Sequence, residues 1–277
     1  MLVYEIGKEY APVFSNFAPQ YVLNQIGKPG YHTLGEVFNT GEELYPAGFL
    51  QYYDGNNRKE HEPKLIHIYV PEEERGEANS WSMLAEMENR LKRAGLHKIS
   101  VNLIGEQENT LKDYFYRMGF EDAKEKPELL TTPIDSVLSD KLLSVPENSA
   151  VTPLKKIPKG EMMETLKAFG EDRDINADSI SMDLSMMYKD KDCTGLFLIS
   201  MLPEGGLYIK MMRLTGGDDM KPVLYMLSAS ANLLKKAGAT GIPVFVPLYN
   251  KKTEKLIKAL VPDVELDHVW QGEKTYE

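Results

Sequence analysis

Apolar and polar positions alternate along this chain in two rhythms, and one succession of rhythms comes round twice. From Ser80 to Ala94, the residues Leu84, Met87, Leu91 and Ala94 recur at spacings of four, three and four, which predicts a helix with those four on its buried face. Gly95 follows as a left-handed stop. Beyond it, KISVNLI sets Ile99, Val101 and Leu103 in alternation with polar residues, the pattern of a half-buried strand. Upstream, LIHIYV (Leu65 to Val70) reads as an apolar strand. YHTLGEVFN and YPAGFLQYYDG, on either side of NTGEEL, read as an antiparallel hairpin.

The same order returns later. NRLKRAGLHKISVNLI (Asn89 to Ile104) aligns without gaps on NLLKKAGATGIPVFVP (Asn232 to Pro247), an offset of 143 residues. PAGFLQYY matches CTGLFLIS (Cys193 to Ser200), and LIHIYV matches LYIKMM, at nearly the same offset. Each copy predicts strand, strand, long helix, Ala-Gly stop, strand and a second helix. In the second copy Leu227, Leu234, Ala237 and Gly238 take the equivalent places, with Pro222 in the helix's first turn, where its missing N–H is tolerated. Between the copies, KEKPELLTTPIDSVLSDKLLSVPENSAVTP carries four prolines and loses the helical period. The boundary is therefore expected near 139–150, with an N-terminal domain over 1–140 and a C-terminal one over 150–277.

Composition narrows the class. The 277 residues suffice for two cores, and 42% hydrophobic with 27% charged residues is a globular balance. No apolar run approaches the roughly 18 residues that span a bilayer, and MLVYEIGKEY lacks a signal-peptide layout, so no membrane role and a cytoplasmic location are expected. The single cysteine, Cys193, reads as a buried core thiol with no metal-ligand spacing around it. A net charge of −10 argues against nucleic-acid binding and favours cationic substrates. Composition leaves open whether the chain forms a homo-oligomer.

The chemistry is concentrated between the strand at 65–70 and the helix that follows. A helix N-terminus leaves about four backbone N–H groups unpaired and carries roughly half a positive charge. Small side chains in the preceding loop let an anion approach those amides. Here the loop is Arg75-Gly76-Glu77-Ala78-Asn79-Ser80, with no Glu or Gln three positions after Asn79 or Ser80 to complete a capping box. Arg75 adds a guanidinium fork for a phosphate oxygen.

These residues resemble motif A of the GNAT-type N-acetyltransferases, whose pyrophosphate loop runs Arg/Gln-x-x-Gly-x-Gly/Ala. Arg75 takes the first position, Ala78 and Ser80 the two small ones, and Met83-Leu84 replace the usual leucine pair, with Val70 and Gly95 at the family's spacing. ENTLKDYFYRMGF (Glu108 to Phe120) resembles motif B, in which an Asn opens a helix that ends in Tyr-x-x-x-Gly-Phe. The resemblance covers most of residues 45–125 and the second copy only in outline. It implies an α/β (α+β) fold of two tandem GNAT-like domains, each a mixed, mostly antiparallel twisted sheet flanked by helices. It also implies acetyl-CoA (coenzyme A) as cofactor and N-acyl transfer to a small-molecule or peptide amine.

Carried over residue by residue, the resemblance assigns Ile68, Tyr69 and Val70 to the pantetheine arm and Arg75, Gly76, Glu77, Ala78, Asn79 and Ser80 to the pyrophosphate. Asn109 is assigned a pantetheine hydrogen bond. Tyr116 is the first choice for the acid that reprotonates the leaving thiolate and Tyr114 the fallback, because counting back from Gly119 falls on Phe115. His67 is the local candidate for general base, with Glu62 and Asp54 as alternatives. In the second copy Arg75, Ala78 and Ser80 correspond to Asp218, Lys221 and Val223, so that copy is expected to be disarmed. The competing classes are a non-catalytic acyl-CoA-binding or sensor protein and a scaffold that uses its sheets for assembly.

Overall fold

The computed structural model describes residues 2–39, 44–56, 62–75, 79–138, 140–169, 180–216, 219–248 and 266–276. The chain forms two compact units, Met1–Lys126 together with Val269–Glu277, and Pro127–His268.

In the first unit, β1 (Leu2–Glu5) leads through a 3-10 turn, Lys8–Phe14, and the single-turn α1 (Gln20–Leu23) to the hairpin of β2 (Tyr31–Asn39) and β3 (Leu44–Tyr53). Then come β4 (Lys64–Tyr69), the long α2 (Asn79–Arg93), β5 (Lys98–Ile104), α3 (Glu106–Arg117) and the short β6 (Glu121–Asp122). Pairing runs β1-β2-β3-β4-β5, with β4 and β5 the parallel pair and the others antiparallel. The expected helix face is present: Leu84, Met87 and Leu91 are buried, and Gly95 ends the helix at φ +75°. Ala94 falls past the last turn and is exposed, while Met83 takes its share of the face with no accessible surface. Gly48 makes room for Met83, because a β-carbon there would lie 2.6 Å from the Met83 methyl. The α2 face packs on Leu34, Leu50, Ile99, Val101, Leu103 and Phe115. The other sheet face is covered by Phe14, Val22, Leu23 and Ile26.

The second unit opens with β7 (Glu128–Pro133), α4 (Ile134–Val137) and α5 (Asp140–Leu143), and then repeats this order with β8 (Val151–Pro153), α6 (Lys159–Ala168), β9 (Met186–Lys189), β10 (Thr194–Met201), β11 (Leu207–Thr215), α7 (Lys221–Lys236) and β12 (Pro243–Leu248). Its sheet runs β8-β9-β10-β11-β12-β7, with β11 and β12 parallel. Gly238 ends α7 at φ +68°, the counterpart of Gly95. The second helix expected after β12 lies outside the described residues. Cys193 is half-buried at the rim of this core rather than sealed within it.

The chain then returns to the first unit. The last strand, β13 (Asp267–Thr275), pairs antiparallel with β5 from Val269↔Ile104 to Thr275↔Lys98, and β6 pairs with β13. The division therefore falls at Lys126/Pro127 rather than at 139–150, and the final residues belong to the first unit. Between the copies the proline-rich segment keeps, among the described residues, only the single-turn α4 and α5, and proline content gave no sign of strand pairing: ELLTTP is β7, bound to β12 along its length.

Candidate functional site

The parallel pair of the first unit makes contact only briefly. Lys64 pairs with Ser100 and Leu65 with Val101, after which the two strands run on to Tyr69 and Ile104 without pairing to each other. On its other edge β4 stays hydrogen-bonded to β3, up to Tyr69↔Phe49. Ile68 and Tyr69 thus sit on a strand with one edge paired and the edge toward β5 open, at the place where α2 begins.

The loop between β4 and α2 contains a turn the sequence pattern did not show, a 3-10 segment Glu72–Glu74. It places Arg75 so that its Nε donates to the Val70 carbonyl at 3.1 Å, which holds the guanidinium against the end of β4. Gly76, Glu77 and Ala78 lie outside the described residues. Asn79 is 2% exposed; its amide nitrogen donates to the Glu74 carbonyl at 3.1 Å, and its Oδ1 is buried without a hydrogen-bond partner. Among the described residues no side chain accepts the backbone N–H of Asn79, Ser80 or Trp81.

The two tyrosines of α3 are placed differently. Tyr116 is 40% exposed and donates its hydroxyl to Asp122 Oδ1 at 2.7 Å, the same oxygen that accepts Trp270 Nε1 at 2.7 Å. Its ring stands edge-on to Trp270, with Lys112 over its face. The Asp122 carboxylate, with some burial, pushes its pKa up. Tyr114 instead faces the mouth of α2: its hydroxyl is sealed from solvent with no hydrogen bond of normal geometry. Burial pushes its pKa up, and the Ser80 hydroxyl partly opposes this. The order of preference between them reverses, because the Tyr116 hydroxyl is committed to β6. Phe115, at the position counted back from Gly119, is core and packs on Phe120 and Trp270. α3 begins at Glu106 behind Gly105 (φ +54°), so Asn109 lies in its first turn and does not open it.

His67 is a packed strand residue. Its Nε2 lies 2.9 Å from the Phe17 carbonyl, which can only accept, so that nitrogen carries the proton. Burial lowers its pKa and keeps the ring neutral, and the bond fastens Phe17 onto β4. Glu62 is engaged by Lys98 and Lys126, and Asp54 by His32.

One carboxyl was missed. Glu36 on β2 has no accessible surface, and neither of its oxygens has a hydrogen-bond partner. Burial, reinforced by Glu74, pushes its pKa up. The signal was in TLGEVF, where a charged residue occupies the strand face that Leu34 gives to the core. Beside β4 there is also a cleft of about 620 Å³, lined by residues of the first unit that include Phe17, Phe38, Tyr45, Tyr69, Glu73 and Glu74.

No family model and no curated protein matches the chain. Solved structures do. A tandem GNAT protein from the clavulanic acid biosynthesis pathway aligns over 99% of this chain and 98% of its own, at 11% identity and a TM-score of 0.57. A Pyrococcus horikoshii protein assigned as an acetyltransferase aligns over 100% of this chain and 89% of its own, at 14% identity and a TM-score of 0.53. The chain has a tandem GNAT fold.

Both units of this tandem GNAT fold carry the brief parallel contact. In the second, Leu207 pairs with Val244 and Tyr208 with Phe245 before the strands separate. The helix mouth there is closed, however. Asp219 Oδ1 accepts the Lys221 N–H at 3.0 Å, Pro222 has no N–H to offer, and Val223 is buried. Asp218 lies outside the described residues.

Proposed function

We propose that the first unit is an acyl-CoA-dependent N-acyltransferase that uses acetyl-CoA and acts on a small-molecule or peptide amine. The observation that carries this reading is the open edge of β4 leading to a helix whose first amides no described side chain caps. Bound there, acetyl-CoA supplies a thioester carbonyl to the amine.

The residues fit such a cofactor. The buried Asn79 Oδ1, which has no hydrogen-bond partner, and the buried Tyr114 hydroxyl, whose polar neighbour is Ser80, flank the α2 mouth, and an orphaned polar atom of this kind is stabilised by a ligand that gives it a partner. Arg75 through Ser80 would hold its pyrophosphate, and the backbone of Ile68, Tyr69 and Val70 its pantetheine arm. Tyr114 stays protonated at neutral pH and serves as the acid, since burial keeps its pKa raised. Glu36 replaces His67 as the proton acceptor on the amine side, because the only carboxyl of β2 is held ready for a proton by its burial. Phe115 at the motif's tyrosine position is the feature that supports the competing reading, a protein that binds acyl-CoA without transfer.

Calorimetric titration with acetyl-CoA tests the cofactor: one-to-one binding is expected, and no heat at millimolar cofactor removes both readings. Free-thiol release with a panel of amines then separates enzyme from sensor.

A further inference from the structure

The cleft beside β4 is too distinctive in its lining to be a general acceptor site. Its volume, about 620 Å³, falls in the range of small-molecule pockets. Among the described residues, the charged ones that line it are Glu73 and Glu74, and no lysine, arginine or histidine does so. Four aromatic rings complete the wall: Phe17, Phe38, Tyr45 and Tyr69. Phe17 and Tyr69 stand edge to face at 5.4 Å between centroids, an arrangement fixed from behind by the His67 bond to the Phe17 carbonyl.

We infer that this cleft selects an organic cation, an alkyl- or arylalkyl-ammonium without a nearby carboxylate, as the acceptor. Aromatic faces attract cations through their quadrupole, best when water is excluded, and two carboxylates on the same wall add attraction for an ammonium and repulsion for a carboxylate. Glu36 is a separate observation in the same direction. It precedes Phe38 by two residues on β2, has no accessible surface and no hydrogen-bond partner, and it shares a field with Glu74. A positive charge in the neighbouring cleft would offset the field that Glu74 places on this buried acid. A site for amino acids would need a cationic group for the substrate carboxylate, and among the described residues the lining offers a single side-chain amide, Asn16. The inference rests on the acyltransferase reading for the word acceptor, but not for the binding itself.

Benzyltrimethylammonium, which cannot be acylated, is the probe, titrated calorimetrically into the full chain alongside benzoate. Saturable one-to-one binding of the cation and none of benzoate is expected. The double variant Glu73→Gln/Glu74→Gln, and separately Tyr69→Leu, should each weaken it at least tenfold, with circular dichroism confirming the fold. Glu73→Gln alone, on an exposed residue, provides a threefold or larger loss should the double variant misfold. In parallel, thiol release with acetyl-CoA is compared for phenethylamine and phenylalanine, which differ by one carboxylate; at least a tenfold higher kcat/KM for the amine is expected. Probe binding without transfer to any amine upholds the cleft and removes the enzyme reading. Equal use of both substrates, or probe binding unchanged in the variants, overturns the cleft and leaves the enzyme reading standing.

Discussion

The two units share a strand order and a parallel pair that touches at two positions, yet their helix mouths are built oppositely. In the first, the amides of Asn79, Ser80 and Trp81 meet no described side chain, and the buried Asn79 Oδ1 beside them lacks a hydrogen-bond partner. In the second, Asp219 and Pro222 have already removed two of the amides. A fold that parts two parallel strands creates a gap, and the chemistry of the gap is decided by what stands at the start of the next helix. Duplication preserved the first property in both copies and the second in one.

The comparison can be broken most sharply by plugging each mouth in turn. Ser80→Phe is expected to weaken acetyl-CoA binding at least 100-fold in calorimetry, with little change in Tm. Val223→Phe, its counterpart, should leave binding intact and lower stability by about 1–3 kcal/mol through overpacking of a buried position. Next in size is the division between the tyrosines. Tyr114→Phe should lower kcat by roughly 100-fold or more, proton-transfer groups contributing about 10²–10⁴-fold, while Tyr116→Phe stays within about twofold. Equal losses would return Tyr116 to the site.

Glu36→Gln sharpens the comparison through pH. A folded-state pKa above the ordinary carboxylate value means that the folded protein holds a proton the unfolded chain releases, so stability is full in acid and declines as pH rises through the folded value. The amide cannot ionise. The variant should therefore match the parent near pH 4 and exceed it by about 1–3 kcal/mol at neutral pH, in denaturant unfolding, while transfer falls. A variant less stable than the parent at pH 7 would place an unrecognised partner on the carboxylate. The smallest effect is in the second unit: Asp219→Ala should cost about 1 kcal/mol of stability and leave acetyl-CoA affinity unchanged.

Much of the fold was legible because it is written in periodicity and punctuation. The 143-residue repeat located both Gly95 and Gly238, and the hairpin followed from alternating residues around a turn-rich stretch. What escaped was long-range pairing. Nothing local in ELLTTP or HVWQGEKT tells which of two similar central strands each will join, since both present apolar residues in alternation. The site was partly legible for the same reason. Loop composition pointed to the α2 mouth, but the orientation of a tyrosine hydroxyl is set by contacts such as Asp122 and Ser80, which periodicity does not encode. His67 looked reactive by residue type and is held by a carbonyl across the sheet. Glu36 belongs to no motif, and it is its burial in the fold that singles it out.

The arrival of β13 on β5 has a consequence for how the molecule comes into being. As the ribosome delivers the chain, the first unit emerges complete in every element but one, with the backbone of β5 exposed along Lys98–Ile104. Such an edge is a template for another nascent chain, and it stays open until some 140 further residues have been added. The half of the protein translated first is thus the half finished last, and truncation ahead of Asp267 should yield aggregates instead of a working fragment.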